Sequence, residues 1–136
     1  MSRRLEGKIA VVTGAGSGIG GALGLRFAEE GARVAVVDRD EAAAAQTVEK
    51  IHQQGGEAKP YACDVTLIEE VQTTLAAVAG DFGGLTTLVN NAGIAHVGNV
   101  EQTAPEDFER VYRVNVQGVY HCLQAGVAVL KEHGGG

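Results

Sequence analysis

Five glycines fall in the eight positions from Gly14 to Gly21, straight after the apolar run Ile9-Ala10-Val11-Val12. Without Cβ atoms a backbone takes positive φ and approaches a ligand closely. Where such a loop opens a helix, free N–H groups and the helix dipole favour a phosphate. Two registers overlap. Gly16-x-Gly18-x-x-Gly21 fits the general dinucleotide fingerprint, and Gly14-x-x-x-Gly18-x-Gly20, preceded by Thr13, fits a longer-loop variant. Asp38 lies 20 residues beyond Gly18, at the end of a second apolar run. That is the place for a carboxylate that accepts a hydrogen bond from an adenosine ribose. A nucleoside-triphosphate loop is disfavoured, because no Gly-Lys-Ser/Thr follows. A purely structural glycine turn leaves the coincidence of strand, helix and Asp38 unexplained.

The other chemical candidates are sparser. Phe108, Val111, Asn115, Gly118 and Cys122 fall at helical spacing on one face, so Asn115 needs a polar partner there. His52 reads as exposed on a helix, His96 as bordering a cleft, His121 as mid-helix and His133 as part of a tail. No pair has His-x-x-x-His spacing, so no metal site is expected. Cys63 and Cys122 lack CxxC spacing and read as small buried hydrophobes in a reducing compartment.

These residues need elements to hold them. Ile9–Val12 and Val34–Val37 read as strands buried on both faces. Between them, Ile19, Leu23 and Phe27, with Ala22 beside them, mark a helix face that ends near Gly31. Asp40 is placed to cap a helix through Val48 and Ile51 to Gly55-Gly56. A third strand is predicted over about 58–63 and a fourth over 87–90. Thr66-Leu67-Ile68-Glu69 and Thr103-Ala104-Pro105-Glu106 both read as capping boxes. The first opens a helix through Val71, Leu75 and Val78. The second, with Pro early in its first turn, opens one that continues to about Leu130. The order βαβαβαβα makes a parallel sheet with right-handed crossovers, an α/β fold.

Composition sets the bounds. At 136 residues, 45% hydrophobic and 21% charged, the chain reads as a single domain with a packed core. A net charge of −6 argues against nucleic acid and anionic membranes as partners. The first apolar run is too short for a signal peptide or a membrane span, so a cytoplasmic location is expected.

With these residues in view, the sequence resembles the short-chain dehydrogenases/reductases. Thr13-Gly14-Ala15-Gly16-Ser17-Gly18-Ile19-Gly20 looks like the cofactor motif of that family. Cys63-Asp64-Val65 is similar to its adenine-contacting Asp-Val, and Asn90-Asn91-Ala92-Gly93 to its NNAG motif. Val114-Asn115-Val116-Gln117-Gly118 resembles the segment carrying its active-site asparagine. The resemblance covers essentially the whole chain and selects the longer-loop register, Gly14, Gly18 and Gly20, leaving Gly16 and Gly21 as turn and packing residues. It implies a Rossmann-like parallel sheet with helices on both faces and strand order 3-2-1-4, forming one NAD(P)-binding domain over 1–136. Ser17 and nearby amides would bind phosphate, and Ile19 would lie near the nicotinamide. Asp64 and Val65 would bound the adenine pocket, and Asn91, Ala92 and Gly93 would pass the adenine-side ribose. Asn115 would either anchor backbone or help hold a water of a proton relay. Asp38 favours NAD over NADP, since a carboxylate repels a 2′-phosphate. Arg39 beside it is read as a solvated side chain over the adenine edge.

The implied activity is hydride transfer between a nicotinamide and a small carbonyl or alcohol substrate, using a Ser and a Tyr-x-x-x-Lys. Neither signature stands here: four residues after Tyr61, Tyr112 and Tyr120 come Val65, Val116 and Gln124. Of the family's catalytic set only Asn115 is present. The chain therefore reads as the N-terminal half of a dehydrogenase, inactive alone. Its fourth strand is expected as an open edge and its last helix as a surface for further strands or a partner subunit, giving marginal stability or self-association and a homo-oligomer. The competing reading is a non-catalytic nucleotide sensor.

Overall fold

The computed structural model describes residues 3–136; the first two residues of the expected 1–136 domain lie outside it. Strands β1 (Ile9–Thr13), β2 (Arg33–Asp38), β3 (Glu57–Ala62) and β4 (Thr87–Val89) pair in parallel in the order β3-β2-β1-β4. Val11 of β1 stands beside Ala35 on one side and Leu88 on the other. Helices α1 (Gly18–Glu29) and α2 (Glu41–Gln53) cover one face. On the other lie α3 (Ile68–Phe82) and α5 (Gly118–Glu132), the latter reached through α4 (Pro105–Tyr112) and a π-helical turn over 113–117.

The central strands are buried on both faces, as their unbroken Val and Ala predict. Alternation divides them between two cores. Val12, Val34 and Val36 meet Ala44, Val48 and Ile51 on one side. Val11, Ala35 and Val37 meet Val71, Leu75, Val78 and Cys122 on the other. Asp40 caps α2 as expected, its Oδ1 accepting the Ala43 N–H at 3.1 Å. Gly83, at φ 81°, ends α3 in the left-handed conformation.

Four local expectations are corrected. The buried side of α1 is Gly20, Gly21, Gly24 and Ala28, not the Ile19 row. Small residues bring the helix close to the sheet, leaving Leu23 and Phe27 as partly buried flanks, Ala22 exposed and Ile19 75% exposed. Neither Thr-based capping box forms. Thr66 Oγ1 donates to Asp64 Oδ1 at 2.7 Å, and Thr103 Oγ1 donates to the Asn99 carbonyl at 2.8 Å. A capping box stands instead at Asn99–Gln102, on a short 3-10 turn. Finally, the predicted last helix is two helices. The π turn widens the spiral by one residue, which takes Phe108 and Asn115 off the buried side while Gly118 and Cys122 stay on it. No helix among the described residues is long and apolar enough to cross a membrane.

Candidate functional site

At the carboxyl ends of β1, β2 and β4 the chain encloses a cavity of about 400 Å³. Parallel sheets place ligands at this end, where neighbouring connections diverge. One wall is the turn between β1 and α1. Gly14 has φ 64° and Gly18 φ 56°, left-handed values that favour glycine. A Cβ at Gly20 would overlap the Gly14 carbonyl oxygen and the Asn91 amide nitrogen, so this position closes the turn on itself. Gly18 meets nothing within 4 Å, so there only conformation demands glycine. Ser17 precedes α1 as its N-cap without making a side-chain cap bond, and the first turn holds no acidic residue. The positive end of α1 is thus open to an anion.

The turn is braced from both sides. Asn91 Nδ2 donates to the carbonyls of Thr13, at 3.1 Å, and Gly14, at 3.3 Å. Thr13 Oγ1 accepts the N–H groups of Asn91 and Ala92, both at 3.0 Å. Asp38 takes the Gly16 N–H on Oδ2 and the Asp40 N–H on Oδ1, each at 2.9 Å. A Cβ on Gly16 would lie 2.8 Å from Asp38 Oδ2. Thr47 Oγ1 donates to the Ala15 carbonyl at 2.9 Å, and Gly21 packs close by.

The opposite wall is built from β4, the segment after β3 and the π turn. Asn115 clamps one backbone residue twice, Oδ1 accepting the Ile94 N–H at 2.9 Å and Nδ2 donating to the Ile94 carbonyl at 2.8 Å. Its amide is therefore bonded to a neighbouring backbone, as the sequence required, in an exposed position. Asp64 Oδ1 accepts the Thr66 N–H at 2.9 Å. Burial pushes the Cys63 thiol up and takes that of Cys122 to about 11, so both stay protonated inside the core.

Of the sequence candidates, Gly14, Ser17, Gly18, Ile19, Asp38, Arg39, Asp64, Val65, Asn91, Ala92 and Gly93 all line this one cavity. Gly20 lies beneath the turn, and Asn115 acts one step back, through Ile94. His96 does not line it. Its Nε2 is buried without a hydrogen-bond partner among the described residues, 3.2 Å from where a Gly98 Cβ would be. Sequence reasoning missed Val37, Cys63, Ile94 and Val114, which complete the lining, and Thr13 as the bracket between the walls. Thr13 had a signal, a buried hydroxyl ending an apolar strand. No group of three metal-ligating side chains occurs among the described residues.

A family model described as short chain dehydrogenase matches residues 8–136. The chain is 40% identical over 136 residues to the 2,5-dichloro-2,5-cyclohexadiene-1,4-diol dehydrogenase LinX of Sphingobium indicum, covering 100% of this chain and 54% of that protein. It superposes on 3-ketoacyl-(acyl-carrier-protein) reductase from Brucella melitensis complexed with NADH. The TM-score is 0.89 at 42% identity, over 96% of this chain and 52% of the other. For NAD+-bound xylitol dehydrogenase the TM-score is 0.94 at 38% identity, over 98% and 52%. The chain spans about half the length of the curated relatives it matches.

Proposed function

The chain belongs to the short-chain dehydrogenase family, and from that premise we propose that its cavity holds a nicotinamide dinucleotide for hydride transfer to or from a carbonyl or alcohol carbon. The observation that carries this reading is the convergence of a glycine-rich turn, an uncompensated helix N-terminus and the Asp38 carboxylate on one cavity. Residues 1–136 act in it as one dinucleotide-binding domain. The cofactor supplies the hydride; the residues here bind, orient and exclude water.

The pyrophosphate is assigned to the first-turn amides of α1 and the Ser17 hydroxyl. Ile19, three-quarters exposed in the cavity, gives the nicotinamide an apolar contact. Gly14, Gly18 and Gly20 keep the backbone clear of the ligand, and Asn91, Ala92 and Gly93 carry the facing backbone past the ribose. Asp64 and Val65 bound the adenine. Asp38 favours NAD over NADP, because its carboxylate would face a 2′-phosphate; Arg39 is exposed at the same end and stacks over the adenine edge. Asn115 fixes Ile94 and so the backbone beside the nicotinamide.

No Tyr-x-x-x-Lys stands in these residues. The 136-residue chain is accordingly proposed to bind cofactor without turnover, while the whole protein acts on a small molecule. A second reading, a non-catalytic nucleotide sensor, uses the same cavity and differs only in what the whole protein does with the bound nucleotide. An exposed apolar stripe over Phe108, Tyr120 and Val127 supports self-association, and two free thiols support a cytoplasmic location. Titration with NADH and NADPH, followed by nucleotide fluorescence, tests the site. Saturable binding that prefers NADH is expected; no saturable response to either removes the reading. Hydride transfer by the whole protein then separates enzyme from sensor.

A further inference from the structure

Resting on that reading, we infer that His121 is a positioning residue for the adenine end of the cavity. His121 stands on α5, outside the glycine turn and outside the cavity lining. Its ring Nδ1 lies 2.8 Å from the Val65 carbonyl oxygen. A carbonyl only accepts, so the neutral ring carries its proton on Nδ1 and donates it.

The peptide joining Val65 to Thr66 is thereby held at both ends. Its carbonyl is bonded to His121, and its N–H, on Thr66, to Asp64 Oδ1. The Val65 side chain fills the space left by Gly118, three residues earlier on the same helix, where a Cβ would lie 2.6 Å from Val65 Cγ2. Helix α5 thus fixes both the carbonyl and the side chain of one cavity residue. The Val65 N–H has no hydrogen-bond partner among the described residues, and it is carried by the same rigid unit. Without His121, the segment from Cys63 to Thr66 keeps its local Asp64–Thr66 bonds but loses its polar tie to a helix 56 residues away. His121 acts through Val65 and is assigned no contact with the ligand.

ADP-ribose, which lacks the nicotinamide, is the probe. By calorimetric titration, His121→Leu is expected to weaken ADP-ribose binding about tenfold, the worth of one lost hydrogen bond. His121→Asn keeps a side-chain N–H at similar reach and is expected to recover most of that loss. Nitrogen NMR of the unmodified protein is expected to show the neutral ring protonated on Nδ1, with its signals moving when ADP-ribose is added. A Leu variant that binds like the parent, or an Asn variant as weak as the Leu variant, overturns the inference. A neutral ring protonated on Nε2 also overturns it, and needs no variant to fold. A parent protein that binds no ADP-ribose overturns the dinucleotide reading itself, so the two failures are distinct.

Discussion

The two walls of the cavity are built in opposite ways. Residues 13–38 form a wall of backbone, in which glycines close a turn on themselves and Asp38 takes two N–H groups. The wall after β3 and β4 is made of irregular backbone, and it is held by side chains reaching from one broken helix, Asn115 to Ile94 and His121 to Val65. The first wall has little freedom to relax, because an atom added at Gly14, Gly16 or Gly20 meets backbone, the Ala43 or Asn91 side chain or the Asp38 carboxylate, and Gly18 is fixed by its conformation instead. The second has hydrogen bonds that are exposed or partly exposed, and water can replace part of them. A defect in the turn should therefore destroy the site, whereas a defect in the helix should loosen it.

Gly20→Ala is the largest test of that difference. Its Cβ overlaps the Gly14 carbonyl and the Asn91 amide, and neither can move without opening the turn. Forced overpacking of this kind costs about 1–3 kcal/mol, and NADH affinity is expected to fall by about a hundredfold or more. Denaturant unfolding and fluorescence titration read the two effects. Affinity near the parental value would mean that the turn is not the rigid wall.

Asp38→Ala ranks next. It leaves the Gly16 and Asp40 N–H groups without their carboxylate, at a cost of about 1–3 kcal/mol in stability, and removes the proposed ribose acceptor. NADH binding is expected to weaken about tenfold, with discrimination against NADPH reduced. Unchanged affinity would take Asp38 out of the site.

Asn115→Ala probes the second wall. Two hydrogen bonds to Ile94 are lost at an exposed position, so about 0.5–1.5 kcal/mol is expected by denaturant unfolding. A loss greater than that of Asp38→Ala would reverse the comparison and make the helix the stiffer support.

The same contrast explains why one wall is legible in the amino-acid sequence and the other is not. Residues 13–38 are legible because their constraints are constraints on residue type. Only glycine suits Gly14 and Gly18, and buried parallel strands leave unbroken Val and Ala. Beyond the polar partner that Asn115 demands, the second wall is legible only through the resemblance. Helical periodicity from Phe108 to Cys122 assumes 3.6 residues per turn, and the π turn over 113–117 breaks that count. His121 reads like any mid-helix histidine, because its partner lies 56 residues away and is a carbonyl, which carries no sequence signal. Both expected capping boxes fail for a related reason. Asp64 and the Asn99 carbonyl compete for the threonine hydroxyls, and a pattern of four residues does not contain its competitors.

The smallest expected effect lies on neither wall and serves as their control. On the outer side of β3, Asp81 Oδ2 accepts from Lys59 Nζ at 2.8 Å and from the Tyr61 hydroxyl at 2.7 Å. The hydrogen bond from Lys59, followed by that from Tyr61, holds the Asp81 carboxyl below its ordinary value. A depressed carboxyl adds stability that is present above its unfolded pKa of about 4 and is lost as pH falls through the folded value. Tyr61 is shifted the other way, raised first by burial and then by Asp81. Its stabilising contribution is complete below about pH 10 and declines as pH rises towards the folded value. Asp81→Asn should therefore flatten the acid limb of stability between about pH 5 and 3, read from denaturant midpoints, and lessen the alkaline loss. Because Asp81 touches neither the glycine turn nor α5, NADH affinity at pH 7 should stay within about twofold of the parent. A larger change would mean that the β3 edge communicates with the cavity.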